Sequence, residues 1–178
     1  MVEDPIGLKD LTYDKILMAL LRICMGFIWL WAFFDKLLGL GFGTAPENAW
    51  LAGGSPTQGY LSFAIAEKPL GAIISGILAP IYPLVDFALM GMLLIVGVAL
   101  ILGIFTRIGS ILGIIFMLSI AIASWPYDNN PLIDDHLINT LVLLLFIVLP
   151  VGKWIGLGNW WSEFINNLVG ENLGKWLE

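Results

Sequence analysis

Long apolar stretches separated by short polar breaks dominate the chain, and their lengths predict helices that cross a membrane. The first runs over about residues 16–40, interrupted by Arg22 near its start and Asp35–Lys36 near its end. Later stretches cover about 83–105, with Asp86 in its first turn, then 108–125 and 132–151, with Thr106–Arg107 read as a tight turn. Each approaches the roughly 20 residues that an α-helical span requires. Residues 69–79 are apolar but too short to span, and Pro80 and Pro83 stop them; this segment is expected to be a half-helix lying against or dipping into the membrane. Residues 41–67 form a glycine-rich loop containing Trp50, Gly53, Gly54, Ser55 and Pro56, long for a connection between membrane helices.

The tail, residues 158–177, has a different pattern. Trp160, Trp161, Phe164, Ile165, Leu168, Val169, Leu173, Trp176 and Leu177 recur at helical spacing opposite Ser162, Glu163, Asn166, Asn167, Glu171 and Lys175. That is the pattern of an amphipathic helix in the interfacial plane, or of one packed on a partner subunit. The expected architecture is one all-α membrane domain over residues 1–178: a four-transmembrane-helix bundle, a short half-helix before the second span and a C-terminal interfacial helix.

Basic residues set the expected orientation. Lys9, Lys15, Arg22, Arg107, Lys153 and Lys175 fall at one end of such a bundle, Lys36 and Lys68 at the other. The positive-inside rule then puts both termini in the cytoplasm of a plasma-membrane protein, with the long loop outside. The start of the chain carries Glu3, Asp4, Asp10 and Asp14 and lacks the pattern of a cleaved secretory signal.

Composition narrows the function. Of 178 residues, 59% are hydrophobic and 12% charged, against about a quarter charged in soluble domains. A net charge of −6 leaves no basic stripe for nucleic acid. With only Cys24 and His136 of their kinds, an internal disulfide, a Cys-held iron–sulfur or zinc site and a bis-histidine haem are excluded within the chain. No resident metal is expected. Cys24, among apolar residues, is expected to be buried and inert.

On this topology Asp35, Lys36, Asp86, Asp134, Asp135 and His136 reach one depth at the outer end. The uncharged stretch 137–152 covers only about 24 Å at about 1.5 Å per residue, which draws Asp134, Asp135 and His136 towards the apolar boundary. Ionisable groups there mark a candidate site, although charges at helix ends also anchor spans, and Asp134–Asp135 suit the positive end of a helix. The expected catalytic residues are Lys36, Asp86, Asp135 and His136. Arg22 is read as an anchor or inner salt-bridge partner. Gly109 and Gly113 give a GxxxG spacing suited to packing within the bundle or to dimerisation.

The order of motifs resembles the DoxX-like membrane proteins, and within them the DoxD group. The resemblance lies in Leu21–Arg22–Ile23 through Gly26, Phe34–Asp35–Lys36–Leu37, the loop from Trp50 to Tyr60, Gly97–Val98–Ala99–Leu100 with Thr106–Arg107, and Asn130 to His136. It runs from about Leu20 to Trp161. It implies a subunit of a thiosulfate:quinone oxidoreductase, which joins two thiosulfates into tetrathionate and reduces an exchangeable quinone. For that chemistry Lys36, Lys68 and His136 are candidates for contact with the anion, and Trp29 and Phe33, with Trp31 and Phe34, for apolar walls around the quinone head group. It also implies a second small membrane-anchored subunit and, in thermoacidophilic archaea, a setting beside terminal quinol oxidases. The alternative expectation is a non-catalytic accessory subunit of such an oxidase or another respiratory complex; a homo-oligomer and a small transporter are weaker options.

Overall fold

The computed structural model describes residues 11–128, 130–170, 174 and 177. Its elements are α1 (Tyr13–Leu38), α2 (Pro56–Gly59), α3 (Gly71–Leu78), α4 (Tyr82–Leu102), α5 (Thr106–Ala123), α6 (Asp135–Val148), α7 (Val151–Trp154) and α8 (Gly158–Val169), and no strand occurs among the described residues. The all-α expectation holds. Three segments are long and apolar enough to cross a membrane: Tyr13–Leu38, Gly71–Leu102 and Thr106–Ala123. The second joins α3 to α4 through a 3-10 turn at Ala79–Ile81. At 14 residues α6 is shorter, about 21 Å long.

Helix α1 packs along α4, α4 against α5, and α5 along α6. Met25 and Trp29, Met90 to Leu100, Met117, and Leu143 with Phe146 build one apolar core from these four helices. Two glycines let α1 and α4 touch backbone to backbone. A Cβ on Gly97 would sit 2.8 Å from the Leu30 nitrogen, and one on Gly26 would sit 2.8 Å from the Ile101 nitrogen. Gly109 and Gly113 serve packing inside the chain: their Cβ positions fall 3.1 Å from Ala99 Cβ and 2.9 Å from Leu143 Cδ1.

Several expectations change. Thr106–Arg107 open α5 rather than forming the turn, which is Gly103–Phe105. Gly103 takes φ +75°, and its N–H closes α4 onto the Ala99 carbonyl. Cys24 is exposed on α1 rather than buried, because its face of the helix is not covered by the bundle. Arg22 is fully buried and meets carbonyls rather than a carboxylate. Its guanidinium donates to the Leu100, Ile101 and Ile155 oxygens, satisfying the C-terminal end of α4, where orphan carbonyls gather negative charge.

Helix α8 splits its apolar residues between two tasks. Ile165 is buried and Trp161 packs on Phe105 with ring centroids 4.4 Å apart, while Trp160, Phe164 and Leu168 are exposed. Expectations for Lys9, Glu171, Leu173, Lys175 and Trp176 lie outside the described residues.

Candidate functional site

The long loop is ordered by three separate ties at the loop end of the bundle. Asp35, buried at the end of α1, accepts from the backbone N–H groups of Phe42 (3.2 Å) and Gly43 (2.9 Å). Asp86, buried at the fifth position of α4, just past its expected first-turn place, accepts from the Thr57 N–H at 2.7 Å. Lys68 donates to Asp128 at 2.6 Å and to the Pro126 carbonyl at 2.9 Å, both in the α5–α6 connection. Between these ties Ser55 caps α2 by accepting from the Gln58 N–H, and Trp50 packs edge-on against Phe87. The loop is a roof, not a free strap.

This arrangement alters the expected convergence of charges. Among the described residues no hydrogen bond or ion pair joins Asp35, Asp86 and the Asp134–His136 segment to one another; each is committed locally. The loop's backbone N–H groups supply the donors for Asp35 and Asp86, as a buried carboxylate takes the donors at hand. Lys36 is half-buried at the end of α1, with no polar partner among the described residues. Trp29 is enclosed in the core, 1% exposed, with its ring 5.5 Å from that of Phe116, and Phe33 packs edge-on against Phe34 at 5.3 Å.

A cleft of about 430 Å³ does open under the roof, between the loop, the end of α5 and the start of α6. Ala64 and Lys68 line it from the loop, Ser124, Tyr127 and Asp128 from the end of α5 and the connection after it, and Asn130, Ile133, Asp134, Asp135 and His136 from the far side. Of the expected site residues, Lys68, Asp135 and His136 therefore share a cavity, whereas Lys36, Asp86, Trp29 and Phe33 do not line it.

The start of α6 is built by Asp134. Its Oδ1 accepts from the Leu137 N–H at 3.1 Å, an N-cap, and its Oδ2 lies 2.6 Å from His136 Nδ1. Thr140 Oγ1 in turn donates to the His136 carbonyl at 2.8 Å. His136 is held but a third of its side chain stays accessible, Asp134 is better covered, and Asp135 is exposed. Beside the cleft Tyr60 is half-buried, and that burial pushes its phenol above the ordinary value, with the Ser124 hydroxyl acting in the opposite direction.

The cleft suits a small polar molecule with an apolar edge. Ala64, Ile133 and the Tyr127 ring provide apolar surface, while His136, Tyr127 and Ser124 provide hydrogen-bonding groups. Its carboxylates, Asp128, Asp134 and Asp135, outnumber its cations. Among the described residues no group of three or more His, Cys, Asp or Glu side chains is arranged to hold a metal ion. The sequence pattern groups Asp134 with the outer-end charges and offers it a helix-end role, but does not pair it with His136. The signal for its second role was the Asp-x-His spacing at a helix start, which lets one carboxylate reach both the cap and the imidazole.

Comparison with known proteins returned no matching family model, no matching curated protein and no matching solved structure.

Proposed function

We propose that this chain is the membrane subunit of a thiosulfate:quinone oxidoreductase, with four spans, both termini in the cytoplasm and the roofed cleft facing outward. Three apolar segments of spanning length support the membrane setting. The observation that carries the reading is the cleft itself, which brings Lys68 and His136 together. These are two of the groups singled out from the sequence for contact with an anion, and they sit beside apolar surface fit for a quinone ring. An outward site matches a dianionic substrate that does not cross a bilayer. Each of two thiosulfates gives up one electron as their sulfur–sulfur bond forms, and the quinone takes up both electrons with two protons. His136 acts at the proton-exchange side, Lys68 at the anion side, and a second small membrane-anchored subunit completes the enzyme.

Thiosulfate-dependent quinone reduction in membranes holding the chain with its partner tests this. His136→Ala and Lys68→Ala are expected to reduce the rate at least tenfold with the protein still inserted. Rates equal to wild type in both would remove the cleft from the chemistry.

A second reading is an accessory subunit of a terminal quinol oxidase. The exposed Trp160, Phe164 and Leu168 on α8 favour it, since they give a partner subunit an apolar edge to grip. Stoichiometric co-purification of oxidase subunits with a cytochrome spectrum, and without thiosulfate turnover, would select it.

A further inference from the structure

His136 is the chain's one histidine, and its surroundings decide which ring nitrogen the cleft receives. Asp134 is held at both carboxylate oxygens, one by the Leu137 N–H at 3.1 Å and the other by His136 Nδ1 at 2.6 Å. As a carboxylate capping the first turn of α6, Asp134 only accepts hydrogen bonds. The hydrogen of the neutral imidazole therefore belongs on Nδ1. That leaves the Nε2 lone pair as the ring's free acceptor in a side chain that lines the cleft.

We propose that Asp134 and His136 form a proton relay at this cleft, with Asp134 as the positioning residue and Nε2 as the atom that exchanges the proton. Nε2 takes a proton from water at the mouth and becomes an imidazolium facing Asp134. It then releases that proton to a substrate oxygen that has gained electrons, and the imidazole returns to its starting form. Identifying that substrate as a quinone rests on the function proposed above. Two such cycles supply the two protons that accompany the two electrons from thiosulfate, so the quinone leaves as its hydroquinone and the dyad is unchanged. Lys68, Asp128, Asp135 and Tyr127 are the other charged or titratable groups on the cleft. The Lys68 ammonium already meets Asp128, so the carboxylate in contact with the imidazolium is that of Asp134.

One histidine gives one pair of imidazole nitrogen signals, so nitrogen NMR of the full chain in lipid nanodiscs, labelled at histidine, reads the tautomer directly. The expected result is a protonated Nδ1 and an unprotonated Nε2 in the neutral form. Asp134→Ser keeps a cap for the Leu137 N–H but removes the imidazole's partner, and should shift the tautomer towards protonated Nε2. His136→Gln keeps a donor for Asp134 but carries no exchangeable proton. Both variants, with helix content unchanged by circular dichroism, should lower kcat for quinone reduction about 10²-fold with KM for thiosulfate little altered. The double variant should lose no more than either single.

A wild-type ring protonated on Nε2 overturns the relay whatever the turnover. So do wild-type rates in both variants across the pH range. If the tautomer is as expected and responds to Asp134→Ser while intact membranes show no thiosulfate turnover, the dyad stands and the oxidoreductase reading fails.

Discussion

The Oδ1 atom of Asp86 lies 2.7 Å from the amide nitrogen of Thr57, and both residues are buried. A carboxylate on an apolar helix thus serves as the acceptor that starts a short helix in the loop, 29 residues away in sequence. The contact joins the roof to the second long apolar segment and gives Asp86 a task independent of catalysis.

Asp86→Ala removes that acceptor and leaves the Thr57 N–H buried without a partner, a loss of about 1–3 kcal/mol. Asp86→Asn keeps an acceptor oxygen and should cost less than half as much. Amide hydrogen exchange at Thr57 checks this: protection should fall sharply in the first variant and little in the second. Loss of turnover in Asp86→Asn with Thr57 still protected would instead assign the carboxylate a chemical role.

Arg22 offers a second test. Its guanidinium spreads over three carbonyls from two segments, a geometry that one ammonium cannot reproduce. Arg22→Met should destabilise the bundle by about 2 kcal/mol or more, because the carbonyls at the end of α4 lose their donors. Arg22→Lys should recover only part of that loss. Unfolding by SDS titration in mixed micelles measures both, and equal stability of Arg22→Lys and wild type would count against carbonyl capping.

The α1–α4 crossing predicts a contrast between glycines. Gly97→Val drives a side chain into the Leu30 backbone, 2.8 Å from the Cβ position, and should cost about 1–3 kcal/mol through forced separation of the helices. Gly113→Ala presses mainly on the end of the Leu143 side chain, which can rotate away, so its cost should be smaller. Thermal unfolding in one detergent ranks the two. The reverse order would mean that the close α1–α4 contact is not holding the bundle.

Tyr60 gives a pH dependence. Burial raises its folded-state pKa above the ordinary value, so folding favours the neutral phenol. That stability is fully present below about pH 10, the unfolded value, and is lost as pH rises through the higher folded value. Tyr60→Phe should flatten the alkaline fall in stability and remove an ionisation lying above the ordinary phenol value from an absorbance titration. Loss of amplitude at the ordinary phenol value instead would show that Tyr60 ionises as an exposed phenol.

Periodicity and length made the helices legible. Runs of Leu, Ile, Val and Ala long enough to cross a bilayer have few alternatives to a helix, and α1, α4 and α5 lie within a few residues of where the pattern puts them, although the half-helix expected to stand apart joins α4 in one apolar segment from Gly71. Helix α6 came out shorter than its apolar run, because Asp134 caps it late and Leu149, in extended conformation before Pro150, ends it early. The grouping of charges was legible only as shared depth. Depth does not say which donor a carboxylate finds, and for Asp35 and Asp86 the answer lay in loop backbone whose path no side-chain pattern encodes. Arg22 was misread for a similar reason: its partners are main-chain oxygens, which any sequence supplies. His136, Asp135 and Lys68 come together because the connection after α5 and the loop both pass over that corner, and Lys68 fixes them there.

The three ties of the loop reach α1, α4 and the α5–α6 connection, and among the described residues no hydrogen bond runs from the loop to α6. The wall that carries His136 is thus bonded within itself and not directly to the loop. Widening the cleft by swinging the N-terminal turn of α6 outward breaks none of the loop's bonds, so a bulky molecule would be admitted by a hinge in this wall while the ceiling stays still.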